Sequence, residues 1–269
     1  MLSLRSSGLC AVAVVCFVGL NWADKTAPLA AEMTARDVTK ALFKASPDQP
    51  LDLSGRDLSK LDLGGLDFKR ANLEGANLYG ADLSAASLSG ARLTGARLDR
   101  ATITATNFTG ADLTRATMLR PNIFSTMEVD VRELPNFESA KLVDANISGR
   151  LDQMNFRGAD LTDAIFGPRN PGNETLITPR VEMNGCDFTG AILRRADLSL
   201  NSLQYAKFIN ADLTGANLKD TNLAAANFTG ADVTDADFTG AVVDGARFEG
   251  ARGLDRAKGL KRGTADLRP

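Results

Sequence analysis

Residues 206–240 read AKFIN, ADLTG, ANLKD, TNLAA, ANFTG, ADVTD and ADFTG, which are seven consecutive groups of five residues. The third residue of every group is Leu, Phe or Val, and the first is Ala in all groups but one. Asp or Asn is common at the second position, Ser or Thr at the fourth and Gly at the fifth. Self-similarity at a fixed period is the signature of a repeat architecture, in which each unit packs against its neighbours.

The same register covers most of the chain outside its two ends. Large apolar residues occupy the third position fifteen times from Leu53 to Ile123, and fourteen times from Met183 to Phe248. Between these blocks lie three more, beginning at Phe137, and four more, from Leu151 to Phe166. Loops at 126–134 and 169–180 interrupt the pattern, as does a one-residue deletion near 149–151. We therefore predict a repeat domain over residues 51–250, with 36 inward third positions.

A period of five fits neither a strand, whose side chains alternate every 2 residues, nor a helix, with 3.6 per turn. Five residues instead form a short extended edge and a corner, with positions one and three facing inward and Gly at the corner. Phe188, Phe208, Phe228 and Phe248 follow each other at intervals of four repeats. We predict an all-β, four-sided solenoid of about nine coils with these rings in one core ladder.

The pattern over about residues 51–250 resembles the pentapeptide repeat family. The resemblance implies a right-handed quadrilateral β-helix, in agreement with the spacing of the phenylalanines. Some relatives resemble duplex DNA in charge and width and shield type II topoisomerases. This chain departs from that requirement, because it carries the pattern of an export signal and because its first fifteen repeats have balanced charge.

The two ends have different patterns. Residues 1–31 contain Arg5, an apolar run at 9–20 and then small residues, which is the order of a secretory signal peptide; an uncleaved membrane anchor is the alternative. Residues 32–50 are predicted to form an N-terminal capping helix and a linker, because Thr34 and Asp37 form a capping-box pattern. Residues 251–269 are either a C-terminal cap or a tail. The expected location is the periplasm or the exterior, or the periplasmic side of a membrane if the anchor is retained.

Catalytic chemistry has little support in the sequence. The chain has no histidine, and its many aspartates occupy the outward second position of the repeat. Cys186 is the only cysteine outside residues 1–31 and takes an inward position that Ala usually holds, which is typical of a buried structural thiol. We therefore predict no catalytic residue, no cofactor, no metal and no enzyme activity.

The remaining hypothesis is a binding scaffold with an unidentified protein partner. Leu119 and Phe124 stand at outward positions beside the first loop and form a candidate interaction patch. The open ends of a solenoid also allow an end-to-end homodimer, whereas no nucleic-acid partner is expected at a net charge of -2. Membrane contact is expected only if the N-terminal segment is uncleaved. The alternatives are a topoisomerase-protecting DNA mimic and a carbohydrate-active β-helix enzyme.

Overall fold

The computed structural model describes residues 33–46, 48–123, 130–167 and 180–260. These residues form one helix, α1 (Ala35–Lys44), one 3-10 turn (Val131–Glu133) and three short strands, β1 (Thr117–Leu119), β2 (Asn146–Ser148) and β3 (Ile165–Phe166). The strands form a parallel sheet in the order β1-β2-β3. Most of the other pairing consists of isolated parallel bridges, one for each repeat. The part of the chain that the structure describes contains no helix of the length and apolarity needed to cross a membrane.

Helix α1 begins and ends as its sequence dictates. The amide of Asp37 donates to Thr34 Oγ1 at 3.3 Å, and the amide of Thr34 donates to Asp37 Oδ2 at 3.2 Å, which completes a capping box. At the other end, Lys69 Nζ donates to the carbonyls of Leu42 at 3.0 Å and Ala45 at 3.1 Å. A cation is favoured at a helix C-terminus, where carbonyls lack partners, so Lys69 holds α1 against the first coil.

The backbone pairs with itself every four repeats, and we call each such stretch a coil. Asp52 pairs in parallel with Asn72, which pairs with Arg92, and the same step recurs throughout the two long blocks. The four repeats of a coil thus form four columns, which we number from the repeats 51–55, 56–60, 61–65 and 66–70. This register agrees with the predicted alignment of residues four repeats apart.

We call the sequence interval between paired residues of adjacent coils the pairing step. Each of the three breaks changes this step by the number of residues that it inserts or deletes. The step lengthens by nine across the loop 126–134, where Asn107 pairs with Asn136, and shortens by one across the deletion, where Asn136 pairs with Asn155. It lengthens by twelve across the loop 169–180, where Asn155 pairs with Asp187. The columns therefore continue unshifted on the far side of each break. Beyond residue 250 the pairing continues through Arg252 and Lys258.

The consensus residues satisfy every backbone N–H of a repeat. The amides at positions two, three and five bond to neighbouring coils, and the amide at position one closes a turn to position three. The amide at position four has no backbone partner and is bound by the Asp or Asn side chain at position two. In the repeat that begins at Ala211 these bonds are Asp212 N to Ala191 O (2.9 Å), Leu213 N to Asp232 O (2.8 Å), Thr214 N to Asp212 Oδ1 (3.0 Å), Gly215 N to Thr234 O (2.9 Å) and Ala216 N to Leu213 O (2.9 Å). Complete pairing is what a buried backbone requires, and it explains the preference for Asp and Asn.

All 36 third-position side chains are buried, together with most first-position alanines. In column four, phenylalanine rings stack face to face from Phe108 to Phe248. The ring centroids are 5.1 Å apart for Phe188 and Phe208, 4.8 Å for Phe208 and Phe228, and 4.7 Å for Phe228 and Phe248. The ladder also crosses both loops, with centroids 4.7 Å apart for Phe108 and Phe137, 5.2 Å for Phe137 and Phe156, and 5.1 Å for Phe156 and Phe188. Stacked rings at this spacing fill a core too narrow for a second layer of side chains.

Candidate interaction surface

The predicted apolar patch remains a prediction, because only one of its two residues lies within the described part of the chain. Leu119 ends β1 and is half-buried, and its amide donates to Asp99 Oδ1 at 3.0 Å. Asp99 is itself nearly buried and accepts a second bond, from Arg97 Nε at 2.8 Å. Phe124 lies outside the described residues. Leu119 is therefore a residue of the sheet, held in place by the neighbouring coil.

A different set of outward residues forms a neutral face on column three of the last three coils. Five large apolar side chains are exposed among the described residues, and three of them border this face. They are Leu200, which is 48% exposed, Tyr205, which is 67% exposed, and Val242, which is 46% exposed. The neutral face consists of Leu200, Ser202, Gln204, Tyr205, Asn222, Ala224, Ala225 and Val242, and it is bordered by two exposed carboxylates, Asp220 and Asp244.

The lack of charge at position two distinguishes column three from its neighbours in these coils. At position two, column three carries Ser202, Asn222 and Val242 in these three coils, and none of them is charged. Each of the other columns carries two charged residues at the same three places, namely Asp212 and Asp232 in column one, Asp197 and Asp237 in column two, and Lys207 and Arg247 in column four. Protein interfaces are depleted of charge at their centre and enriched in aromatic residues, which matches this face.

Left-handed backbone recurs at non-glycine corners along the whole described rod, and at two corners of the neutral face the residue that adopts it is large and apolar. Leu200 has φ 65° and Tyr205 has φ 61°, in the left-handed region where the repeat consensus places Gly. A side chain costs roughly 1–2 kcal/mol in this conformation, and bulky residues are rare there. These two large apolar residues are thus kept at strained, exposed positions, where neither contributes to the core. An observed strained residue of this kind points toward function.

Buried polar side chains fix the backbone beneath the neutral face. Asn201 replaces the usual inward Ala, and its Nδ2 donates to the carbonyl of Phe166 at 2.8 Å. Its Oδ1 accepts the amide of Val181 at 3.0 Å. Phe166 and Val181 flank the twelve-residue insertion, so this one amide joins the two sides of the break. Thr221, one coil further, donates from Oγ1 to the carbonyl of Leu198 at 3.0 Å.

The pKa shifts of several groups in the described repeats are caused by hydrogen bonds and burial that belong to the fold. The hydroxyl and amide of Thr239 bond to the Asp237 carboxylate, and Lys219 lies 3.2 Å from it, which lowers its pKa to about 2. Hydrogen bonds from Ser59 lower the pKa of Asp57 in the same way. Burial raises the pKa of the Cys186 thiol, which donates to the carbonyl of Leu151 at 3.0 Å. The described residues include no group of three or more His, Cys, Asp or Glu arranged to hold a metal.

The neutral face was missed in the sequence because its residues occupy ordinary repeat positions. The available signal was Leu200 and Tyr205, two bulky residues at the glycine position of consecutive repeats. Reading them as one surface also required counting columns, which places Val242 two coils beyond Ser202.

Comparison with known proteins finds a matching family profile and similar solved structures. The sequence profile of pentapeptide repeats matches residues 52–84, 81–118, 182–220 and 216–252, which is about half of the chain. No curated protein matches. Among solved structures, HetL, a pentapeptide repeat protein involved in heterocyst differentiation regulation from the cyanobacterium Nostoc sp. strain PCC 7120, is 24% identical with a TM-score of 0.53. The match covers 84% of this chain and 96% of HetL.

Two further structures have lower TM-scores. QnrB1, a plasmid-mediated fluoroquinolone resistance protein, is 19% identical over 76% of this chain and 91% of its own, with a TM-score of 0.30. A pentapeptide repeat protein from the Arabidopsis thaliana thylakoid lumen is 30% identical over 42% of this chain and 63% of its own, with a TM-score of 0.19. The profile matches both long blocks, and the backbone pairing recurs every four repeats. This chain therefore belongs to the pentapeptide repeat family.

Proposed function

We propose that the chain is a non-enzymatic scaffold, built as a right-handed quadrilateral β-helix of about nine coils, that binds a protein partner through the neutral face. The observation that carries the proposal is the pair Leu200 and Tyr205, large apolar side chains held in left-handed backbone and exposed to solvent. Glycine at both corners would relieve the strain without exposing any core, so packing within the chain does not explain them. Aromatic anchors surrounded by small neutral residues are typical of the centre of a binding surface.

The proposed compartment is the periplasm or the cell exterior, because residues 1–31 have the pattern of a secretory signal. Fractionation of the native host, followed by N-terminal sequencing of the purified chain, tests this part. A mature chain that begins near residue 32 in the periplasmic fraction or the medium is the expected result. An intact N-terminus in the cytoplasm contradicts the proposed export.

Binding through the neutral face is tested with the double variant L200G/Y205G. Glycine accepts the left-handed backbone at both positions, so the variant keeps its fold and loses only the exposed side chains. The matched control is A85G/A105G, two corners of column three near the other end, with φ 56° and 54°. Affinity capture from the fraction that contains the protein is expected to enrich the same partner with the wild type and with the control. Equal recovery by L200G/Y205G, or no partner above background with the wild type, contradicts the proposal.

A further inference from the structure

The charges of the first four coils are segregated by column, although their sum is nearly balanced. Columns one and three are acidic. Column one carries three acidic residues, Asp52, Glu74 and Asp112, and one basic residue, Arg92, on its flat side, and column three carries Asp62 and Asp82. The surface of column two carries the opposite sign. We call it the basic face; it consists of Arg56, Lys60, Arg97, Arg100 and Arg120, together with Arg115 at the corner shared with column one.

The two carboxylates of the basic face already serve structural roles. Asp57 accepts the amide of Ser59 at 3.0 Å and the Asn77 Nδ2 at 3.0 Å. Asp99 binds the amide of Leu119 and the guanidinium of Arg97, as described above. The face therefore carries two carboxylates among its six basic side chains.

Three fifth-position arginines of this face, like Arg56 at a first position, are exposed and have no carboxylate partner among the described residues. These are Arg100, Arg115 and Arg120. In the later coils, by contrast, the corner arginine Arg195 pairs with Asp163 at 2.5 Å. The three unpaired arginines also have left-handed backbone, with φ 58°, 58° and 51°. As at the neutral face, long side chains stand where the repeat favours Gly, and here they carry charge.

We propose that the basic face binds an acidic segment of a partner protein. Arg100 and Arg120 occupy the same corner in successive coils, about 4.8 Å apart along the stack. Their guanidinium groups are therefore close enough to contact two carboxylates of one extended peptide. Arginine binds carboxylates through two parallel hydrogen bonds, which gives geometry as well as attraction. Arg97 lies between these arginines with its guanidinium carbon 4.6 Å from the Tyr79 ring centroid, but it is already paired with Asp99 and is not counted as a ligand-binding cation.

The flanking columns restrict the width of the ligand. The carboxylates of Asp112 in column one and Asp82 in column three lie half-buried on either side of the basic face, where they accept the amides of Thr114 and Ser84. A broad anionic surface, such as a nucleic-acid duplex or a lipid bilayer, would meet these carboxylates as well as the arginines. A single acidic peptide segment is narrow enough to contact column two alone. This inference concerns a different face from the neutral face and stands without it.

The test measures binding of a fluorescein-labelled peptide of ten glutamates to the purified full chain by fluorescence anisotropy. The triple variant R100G/R115G/R120G removes three charges and places glycine at three left-handed positions, so its melting temperature is expected to be unchanged or higher. Its affinity for the peptide is expected to fall at least tenfold, with a weaker dependence on salt. The control R36Q/R70G/R247Q removes the same number of charges away from the basic face and is expected to bind as the wild type does.

Three results would overturn the inference. They are equal affinity in the triple variant and the wild type, an equal loss in the control, and tighter binding of phosphatidylglycerol vesicles or of an oligonucleotide than of the peptide. The variant L200G/Y205G is expected to bind the peptide normally. Its behaviour separates this inference from the proposed role of the neutral face.

Discussion

Replacement of Phe208 by Ala tests the ladder on which the core depends. The ring is fully buried, and its centroid lies 5.1 Å from that of Phe188 and 4.8 Å from that of Phe228. Truncation of a buried Phe to Ala costs about 3–5 kcal/mol, which includes the cavity that remains. The narrow interior cannot collapse without breaking the bridges of the adjacent coils, so we expect a loss of unfolding free energy near the upper end, about 4–5 kcal/mol.

Replacement of Phe208 by Leu separates stacking from volume. Leu88 occupies the same column between Phe68 and Phe108, so the column accommodates Leu without distortion. The variant loses two stacked contacts worth about 0.5–1.5 kcal/mol each, and the expected cost is therefore about 1–3 kcal/mol. Equilibrium urea unfolding followed by circular dichroism measures both variants.

The matched control is Ile209→Ala, at the next residue, which is half-buried and outward. It is expected to cost about 1 kcal/mol or less, because most surface substitutions lie within that range. If Phe208→Ala is no more destabilising than Ile209→Ala, the ladder does not support the core, and the inward assignment of the third position is wrong.

Four further predictions follow from single contacts. Asp232→Ala removes the side-chain acceptor for a fourth-position amide and is expected to cost about 1 kcal/mol in urea unfolding, whereas Asp232→Asn, which keeps the acceptor, costs less. Asn201→Leu leaves a buried amide and a buried carbonyl unpaired and is expected to cost about 2–5 kcal/mol by the same measurement. Because the pKa of Asp237 is depressed to about 2, its contribution to stability is complete above its unfolded value of 3.8 and is lost as the pH falls toward 2, so Asp237→Asn flattens the acid side of a melting-temperature profile. Cys186 is expected to react with a maleimide only after unfolding, since it is buried and its pKa is raised; rapid labelling of the native chain would contradict this.

Most of the fold could be predicted from the sequence because its physical cause recurs in every repeat. A third-position residue such as Leu213 is always apolar and always buried, so one residue type at one spacing determines the interior. The column assignment followed from the phenylalanines of the last block, where no insertion disturbs the interval of four repeats. The short N-terminal helix was predicted as well, because a capping box is a local signal.

Two internal contacts that the sequence did not predict depend on counting across a break. Phe137 and Phe156 belong to the ring ladder, but the altered pairing steps at the two loops and the deletion hide them from a search at the regular interval. The role of Asn201 was hidden for a related reason. Its partners, Phe166 and Val181, become neighbours only because the columns resume unshifted after the insertion. Such contacts depend on the register between coils, which no local motif encodes.

The same bonding scheme leaves the fifth position as the one least constrained by packing. Position two must cap an amide, position four must fit beside it, and positions one and three must fill the core, so four of five residues are constrained by stability. The fifth position faces solvent and makes no side-chain contribution to the core, but it requires left-handed backbone. Any residue except Gly there carries a conformational cost of roughly 1–2 kcal/mol. Nineteen described non-glycine residues accept this backbone. The two binding proposals rest on those that are large and apolar, Leu200 and Tyr205, and on three exposed arginines, Arg100, Arg115 and Arg120.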